Sequence, residues 1–207
     1  MPKLKPETQV QRREHILDSA RTCFANAGFH RTTMQDICKA ASVSPGALYI
    51  YFDSKEALIA GLCERDREQF AERFREVAAA SDVMAALNAL AQHYFANDPP
   101  ERHLFVIEMM LEAKRNPRIA AIVNPVEQYC NQAFTALFER LVTDGRVAPR
   151  VPIATLVDVL NVMGDGMFWR RAVRDGFDAN DVLPAITKVM SELINPVGTE
   201  PATAAGR

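Results

Sequence analysis

Apolar residues recur at helical spacing along almost the whole chain. Ile16, Leu17, Ala20, Phe24 and Ala27 make one 3.6-residue stripe, closed by Gly28 with Phe29 behind it as the apolar partner of a glycine C-cap. Leu58, Ile59, Leu62, Phe70, Phe74 and Val77 keep one face apolar through a densely charged run that starts at Asp53 or Ser54 and reaches about Ala80. Further helices are expected over about 82–96, from the break at Asn97-Asp98-Pro99-Pro100 to about 114, and over about 118–142, 152–175 and 180–195. Pro125 lies inside the third of these five further segments and should kink or split it near Asn124. Strand signals are lacking and glycine is scarce, so the pattern reads as all-α, with about nine helices.

The densest signals lie between Thr32 and Leu58. Thr33 is followed three residues later by Asp36, Ser44 by a proline at the next position, and Asp53 by Glu56. Each places an oxygen side chain where it can accept from the free N–H groups of a first helical turn. Between the first two starts, Ile37, Ala40 and Ala41 form a short apolar face closed by Ser42-Val43. The stretch therefore reads as helix, tight turn, helix, the geometry that lays a second helix in a DNA groove. On that second helix Leu48 and Phe52 should turn inward with Val43. Ser44, Pro45, Gly46, Ala47, Tyr49, Ile50 and Tyr51 are left near its exposed N-terminal end. Small residues there admit a duplex backbone closely, tyrosines can donate to phosphate or lie on a thymine methyl, and Lys55 is placed for a phosphate rather than for the helix dipole. Each residue alone has an ordinary packing or solvated reading; together, in this order and with these caps, they favour DNA.

These residues also carry a resemblance. Gly28-Phe29, Thr32 to Ile37, Ala40-Ala41, Val43-Ser44, Gly46 to Tyr49, Tyr51-Phe52 and Ser54 to Leu58 resemble the DNA-binding head of TetR/AcrR-type regulators, over about the first quarter of the chain. The resemblance implies phosphate contacts from Thr33, Tyr51 and Lys55, and groove contacts from Gln35, Pro45, Gly46, Ala47, Tyr49 and Ile50. Ile50 departs from the pattern, since such proteins often carry His, Trp, Tyr or Arg there. The resemblance further implies a head over 8–56, a helical ligand-binding and dimerisation domain over 57–195, a homodimer on a palindromic double-stranded operator, and a small-molecule effector.

Composition alters this picture little. The 207 residues carry a net charge of −2, which looks wrong for a nucleic-acid binder until divided. Residues 1–56 hold eight Lys/Arg against six Asp/Glu, and the remainder sixteen against twenty, so the excess of positive charge is local. No apolar run approaches the ~18 residues that span a bilayer, and the first fifteen residues have no signal-peptide core, so a cytoplasmic protein without membrane attachment is expected. Residues 1–7 and the Pro/Ala/Thr/Gly-rich tail 196–207 read as disordered. Cys23, Cys38, Cys63 and Cys130 lack metal-ligand spacing and the four histidines are dispersed, so neither a metal nor another cofactor is expected.

In the second half, apolar residues occupy more than one face of the last two helices. Leu156, Leu160, Phe168, Val182, Ile186, Val189, Met190 and Leu193 are the candidate dimer interface. His103, Phe105, Met109, Met110, Tyr129, Phe134, Met163, Met167 and Trp169 are the candidate ligand-pocket residues, since methionines and aromatics make adaptable apolar cavities. Plain core packing is the rival reading for each. No nucleophile elbow, phosphate loop or Glu-x-x-His pair is present, so catalysis is not expected. The expectation is a ligand-responsive repressor released by a small, largely apolar molecule. Its rivals are a DNA-binding regulator controlled by thiol oxidation or a protein partner, and an interaction protein with a degenerate head.

Overall fold

The computed structural model describes residues 6–197, and these form nine α-helices. They are α1 (Pro6–Arg31), α2 (Met34–Ala40), α3 (Pro45–Tyr51), α4 (Lys55–Ala79), α5 (Val83–Ala91), α6 (Pro100–Ala113), α7 (Pro117–Thr143), α8 (Ile153–Val173) and α9 (Ala179–Ile194). A π-helical turn, Gln92–Asn97, takes up the last residues of the segment expected to continue α5. Packing gathers the chain into two compact units. The first holds the described residues up to Glu72, with Asp98–Tyr129 and Phe168–Phe177; the second holds Arg73–Asn97, Cys130–Met167 and the described residues from Asp178.

The first unit forms around the stripe of α1. Ile16, Leu17, Ala20 and Phe24 are fully buried, and Ile37, Leu48, Phe52, Leu58, Ile59 and Leu62 join them from α2, α3 and α4 and the link before α4. Phe105 and Met109 of α6 and Ile119 of α7 complete the same core. The Phe24 ring lies 6.2 Å from those of both Phe29 and Phe105. Three short helices cannot bury an apolar centre of this size unaided. The packing unit is therefore larger than the 8–56 head, because α6 supplies part of its interior.

Gly28 breaks α1 as the glycine signal implied. Its φ of 76° and ψ of 167° lie outside the helix, in a region essentially closed to L side chains. The break frees backbone groups, and other helices pair them. The Phe29 N–H donates to Glu108 Oε1 of α6 at 3.1 Å, and Lys55 Nζ of α4 donates to the Phe29 carbonyl.

Charged side chains tie α1 and α4 along their shared flank. Arg65 reaches Glu14 at 2.9 Å and Asp18 at 2.8 Å, while Arg21 reaches Asp66 at 2.7 Å. Arg102 of α6 pairs with Asp98 at 2.6 Å and approaches Asp66 at 3.7 Å. Burial lowers the Arg21 pKa, with Asp66 acting against that shift.

In the second unit, Phe74 stands edge-on to Phe134 at 5.0 Å, and Leu137, Phe138, Leu141, Leu156, Leu183 and Ile194 are buried. Thr187 donates to Asn88 and Asn161 to Asn131, at 2.9 and 2.7 Å. Arg146 donates to the carbonyls of Ala80 and Ser81, closing the C-terminal end of α4.

Three sequence expectations change. α7 runs unsplit past Pro125, whose side chain is exposed, as is Ala121, the residue whose carbonyl loses its helical donor, so that carbonyl can turn to water. Ser54, not Asp53, caps α4, its Oγ accepting from the Ala57 N–H at 3.1 Å. At the termini, Pro6 already opens α1, and Pro196 and Val197 are held against the 146–148 segment, Val147 bridging to Pro196 and the Val197 N–H donating to the Arg146 carbonyl. The rest of both expected disordered ends lies outside the described residues.

Gly28→Ala should lower stability by about 3 kcal/mol, because the backbone is strained and the new Cβ would stand 2.7 Å from Glu108 Oε1. Gly145→Ala, at a φ of 67° but facing open space, should cost about 1 kcal/mol. Urea unfolding of the two variants checks both values, and equal losses would remove the role given to Glu108.

Candidate nucleic-acid interface

Two caps and a strained turn position α3. Thr33 Oγ1 accepts from the Asp36 N–H at 3.1 Å while Asp36 Oδ2 accepts from the Thr33 N–H at 3.0 Å, a reciprocal capping box. Hydrogen bonds from the Thr33 hydroxyl and backbone hold the Asp36 carboxyl below the ordinary carboxylate range. At the other end of α2, the Val43 N–H donates to the Cys38 carbonyl and the Ser42 N–H to that of Lys39, with Ser42 at a φ of 52°. This is a Schellman turn with serine where glycine would be unstrained. Ser44 then caps α3, its Oγ accepting from the Ala47 N–H at 3.2 Å, with Pro45 at the first helical position.

The turn leaves α3 with two dissimilar sides. Leu48 is fully buried, the following Phe52 is 5% exposed, and Val43 and Tyr51 are half-buried against the same core. Ser44, Pro45, Gly46, Tyr49 and Ile50 are exposed, Ala47 is half-buried, and Gln35 is exposed on α2. A Cβ added at Gly46 would meet nothing within 4 Å, so nothing inside the protein requires glycine there.

Two expected phosphate contacts look different in the structure. The Thr33 hydroxyl donates to Asp36 Oδ2 at 2.6 Å, so both donors of Thr33 are already engaged and a phosphate contact would require the capping box to open. Lys55 is neither a solvated lysine nor a free phosphate ligand. Its ammonium donates to the Phe29 carbonyl and stands 4.2 Å over the Phe29 ring. Burial pulls its pKa down, with Glu56 and Glu112 acting the other way. An ammonium has three donors, so the bond to Phe29 still leaves capacity for an oxyanion.

The candidate pocket residues divide between the two units. His103, Phe105, Met109, Met110, Tyr129 and Trp169 belong to the first, and Phe134, Met163 and Met167 to the second. Phe105 and Met109 are core residues packed with Phe24, while Met110 and Trp169 are exposed. His103 is fully buried, its ring 5.0 Å from that of Phe168 and its Nδ1 3.3 Å from the Pro99 carbonyl. Tyr129 lies edge-on to Phe70, with the Arg67 guanidinium 5.6 Å from its ring, and Phe134 is engaged by Phe74 and Phe138. Met163 is half-buried and Met167 buried. An open cleft of about 340 Å³ lies elsewhere, at the break of α1, lined by Ala25, Asn26, Gly28, His30, Arg31 and Glu108 among others.

Of the candidate interface residues, Leu156 and Met190 are buried within the protomer and have little area to offer a partner. Leu160, Phe168, Val182, Ile186 and Leu193 are half-buried, and Val189 is exposed. Val162, 72% exposed on α8, was missed because it falls outside the stripe of its apolar neighbours. Thiol control loses ground, since burial pushes the Cys63 thiol up to about 12 and also raises that of Cys23, which starves both of thiolate.

Residues 16–62 match the model of the bacterial regulatory proteins of the tetR family. The structure aligns with that of Salmonella enterica GusR at a TM-score of 0.74 and 27% identity, over 92% of this chain and 97% of that one. The head of the chain is therefore similar in sequence to the tetR-family regulators. Among its relatives, the transcriptional regulator UidR of Escherichia coli K12 is 35% identical over 127 residues, and the match covers 59% of this chain and 62% of the UidR length. The transcriptional repressor AcnR of Corynebacterium efficiens is 26% identical over 193 residues, 92% of each chain. No helix among the described residues is long and apolar enough to cross a membrane.

Lys55→Ala should lower the stability of the protein by about 1–2 kcal/mol, because the Phe29 carbonyl loses a charged donor and its ring loses a cation. Thermal unfolding in the absence of DNA reads this directly. An unchanged midpoint would return Lys55 to a purely external role.

Proposed function

We propose that the protein is a DNA-binding transcriptional regulator, a repressor that docks α3 in the major groove of a palindromic operator as a dimer and is released by a small, largely apolar molecule. The observation that carries the reading is the outward side of α3. It is exposed from Ser44 to Gly46 and again at Tyr49 and Ile50, and it has room for backbone approach at Gly46. A seven-residue helix has no use for such a face inside its own fold. Gln35, Ser44, Pro45, Ala47, Tyr49, Ile50 and Tyr51 are the proposed contacts, with Lys55 adding an ammonium at the rim. The named roles of UidR and AcnR agree with regulation, and that of AcnR with repression. The head over 8–56 is the recognition module, whatever helices complete its core.

The effector and dimer proposals rest on apolar surface. The buried Met167 and the half-buried Phe134 and Met163, all of the second unit, remain the pocket proposal. Val162, Val189 and their half-buried neighbours on α8 and α9 supply the proposed subunit interface. Two heads ~34–36 Å apart would match successive major-groove faces of one operator.

The test is binding of the purified protein to DNA from immediately upstream of its own gene, over a salt series. Saturable, sequence-selective binding that weakens steeply with salt is expected. Gly46→Ala separates docking from folding. The variant should be as stable as the parent or slightly more so, yet bind its operator on the order of tenfold more weakly, equivalent to ~1.4 kcal/mol. Full operator affinity in Gly46→Ala would sink the docking.

Val189→Asp should convert the dimer to a monomer in sedimentation equilibrium without loss of helical circular dichroism, and should weaken operator binding through lost bivalency. A dimer that survives the substitution would move the interface away from this face of α9.

A further inference from the structure

The chemistry of α3 restricts what it can read. Its sequence, Pro45-Gly46-Ala47-Leu48-Tyr49-Ile50-Tyr51, contains no amide, guanidinium, ammonium or carboxylate. Side chains that discriminate bases in the major groove are mainly Arg or Lys on guanine, Asn or Gln on adenine, and a carboxylate on cytosine. α3 offers none of them. What remains is two phenol hydroxyls, one of them on a half-buried ring, and apolar contact.

Ile50 is the extreme case. It is 80% exposed, the most exposed large apolar side chain among the described residues, ahead of Val162 at 72%. A β-branched side chain on a helix is confined to one strongly preferred rotamer, so it is presented in a fixed direction and loses little freedom on contact. Isoleucine can neither donate nor accept a hydrogen bond. The apolar group that a base edge displays in the major groove is the thymine C5 methyl. Bringing the two together removes apolar area from water on both sides.

We infer that Ile50 reads the C5 methyl of a thymine in the operator half-site, so that this position is specified by a methyl group rather than by hydrogen bonds. The inference rests on the DNA-binding reading above and adds the chemistry by which one base is chosen. Ile50 makes no charged contact, so Ile50→Ala should leave the salt dependence of binding unchanged while lowering affinity.

The probe is the tightest duplex that the full-length protein selects from a random-sequence DNA pool, resynthesised with deoxyuridine replacing each thymidine in turn. Uracil pairs as thymine does and lacks only the methyl. At one thymine in each half-site, the substitution should weaken the parent protein about fourfold, as expected for one buried methyl group. It should leave the affinity of Ile50→Ala unchanged. Equal losses in both proteins, or no sensitive thymine, with sequence-selective binding intact, would overturn the assignment of Ile50 and leave the regulator reading standing. Failure to select any duplex above the pool would overturn the regulator reading and the inference with it. Sedimentation of Ile50→Ala should match the parent; a shift in mass would show that Ile50 covers a protein surface and would also overturn the assignment.

Discussion

The backbone of Phe29 is the constraint around which the first unit is built. Gly28 leaves the helix, so the amide and carbonyl of the next residue have no helical partner, and buried backbone groups must find one elsewhere. Glu108 accepts from the amide, Lys55 donates to the carbonyl, and the ring is buried between Phe24 and the Lys55 ammonium. Three helices thus converge on one residue. Thr32, 1% exposed, continues the lock by donating its hydroxyl to the carbonyls of Gly28 and Cys23. The entry to α2 is fixed before α2 begins. His30 adds a contact at 3.0 Å to Glu112, four residues beyond Glu108 on the same face of α6.

The charged flank of α1 and α4 works alongside this lock. Asp66 is shared by Arg21 and Arg102, and Arg65 by Glu14 and Asp18. The Asp66 pairs, shielded from water on both sides, add little net stability over an apolar replacement, but removing one partner strands a charge, whereas the carboxylates that meet Arg65 are more open to solvent. Their effect is therefore selective. A small rotation of α4 against α1 would separate several pairs together, so the arrangement penalises alternative registers of two helices whose apolar stripes alone would tolerate sliding.

Features coded by local spacing were legible in the sequence. The α1 stripe, the Gly28 break, the Thr33–Asp36 box, the Ser44 cap and the inward turn of Leu48 all follow from residues within four positions of one another. Long-range pairing was not legible. Lys55 lies 26 positions from Phe29 and Glu108 lies 79, and no periodicity announces either partner. The run around Arg65 and Asp66 reads as a solvated face because spacing cannot tell a charge in water from one held by a neighbouring helix. For the same reason Phe105 and Met109 suggested a pocket, when their fold places them in the core that α6 shares with α1. Ser42 hid a left-handed turn because nothing about serine advertises one, whereas Gly28 announced its own.

These constraints determine how α3 can be controlled. A helix of seven residues is too short to hold its shape in water, so its geometry is borrowed from Ser44 at one end and from Leu48 and Phe52 in the core. Its reading face makes no contribution to that anchoring. Displacing the core residues under α3 would therefore carry the whole face as a body, while leaving the face itself intact. The lock at Phe29 ties the segment entering α2 to α6, two of whose carboxylates hold it. A movement of α6 would be passed to the segment entering α2 through the hydrogen bond from the Phe29 amide to Glu108. Unfolding α3 would cost the same contacts and yield no alternative orientation, so repositioning is the change of state this architecture favours.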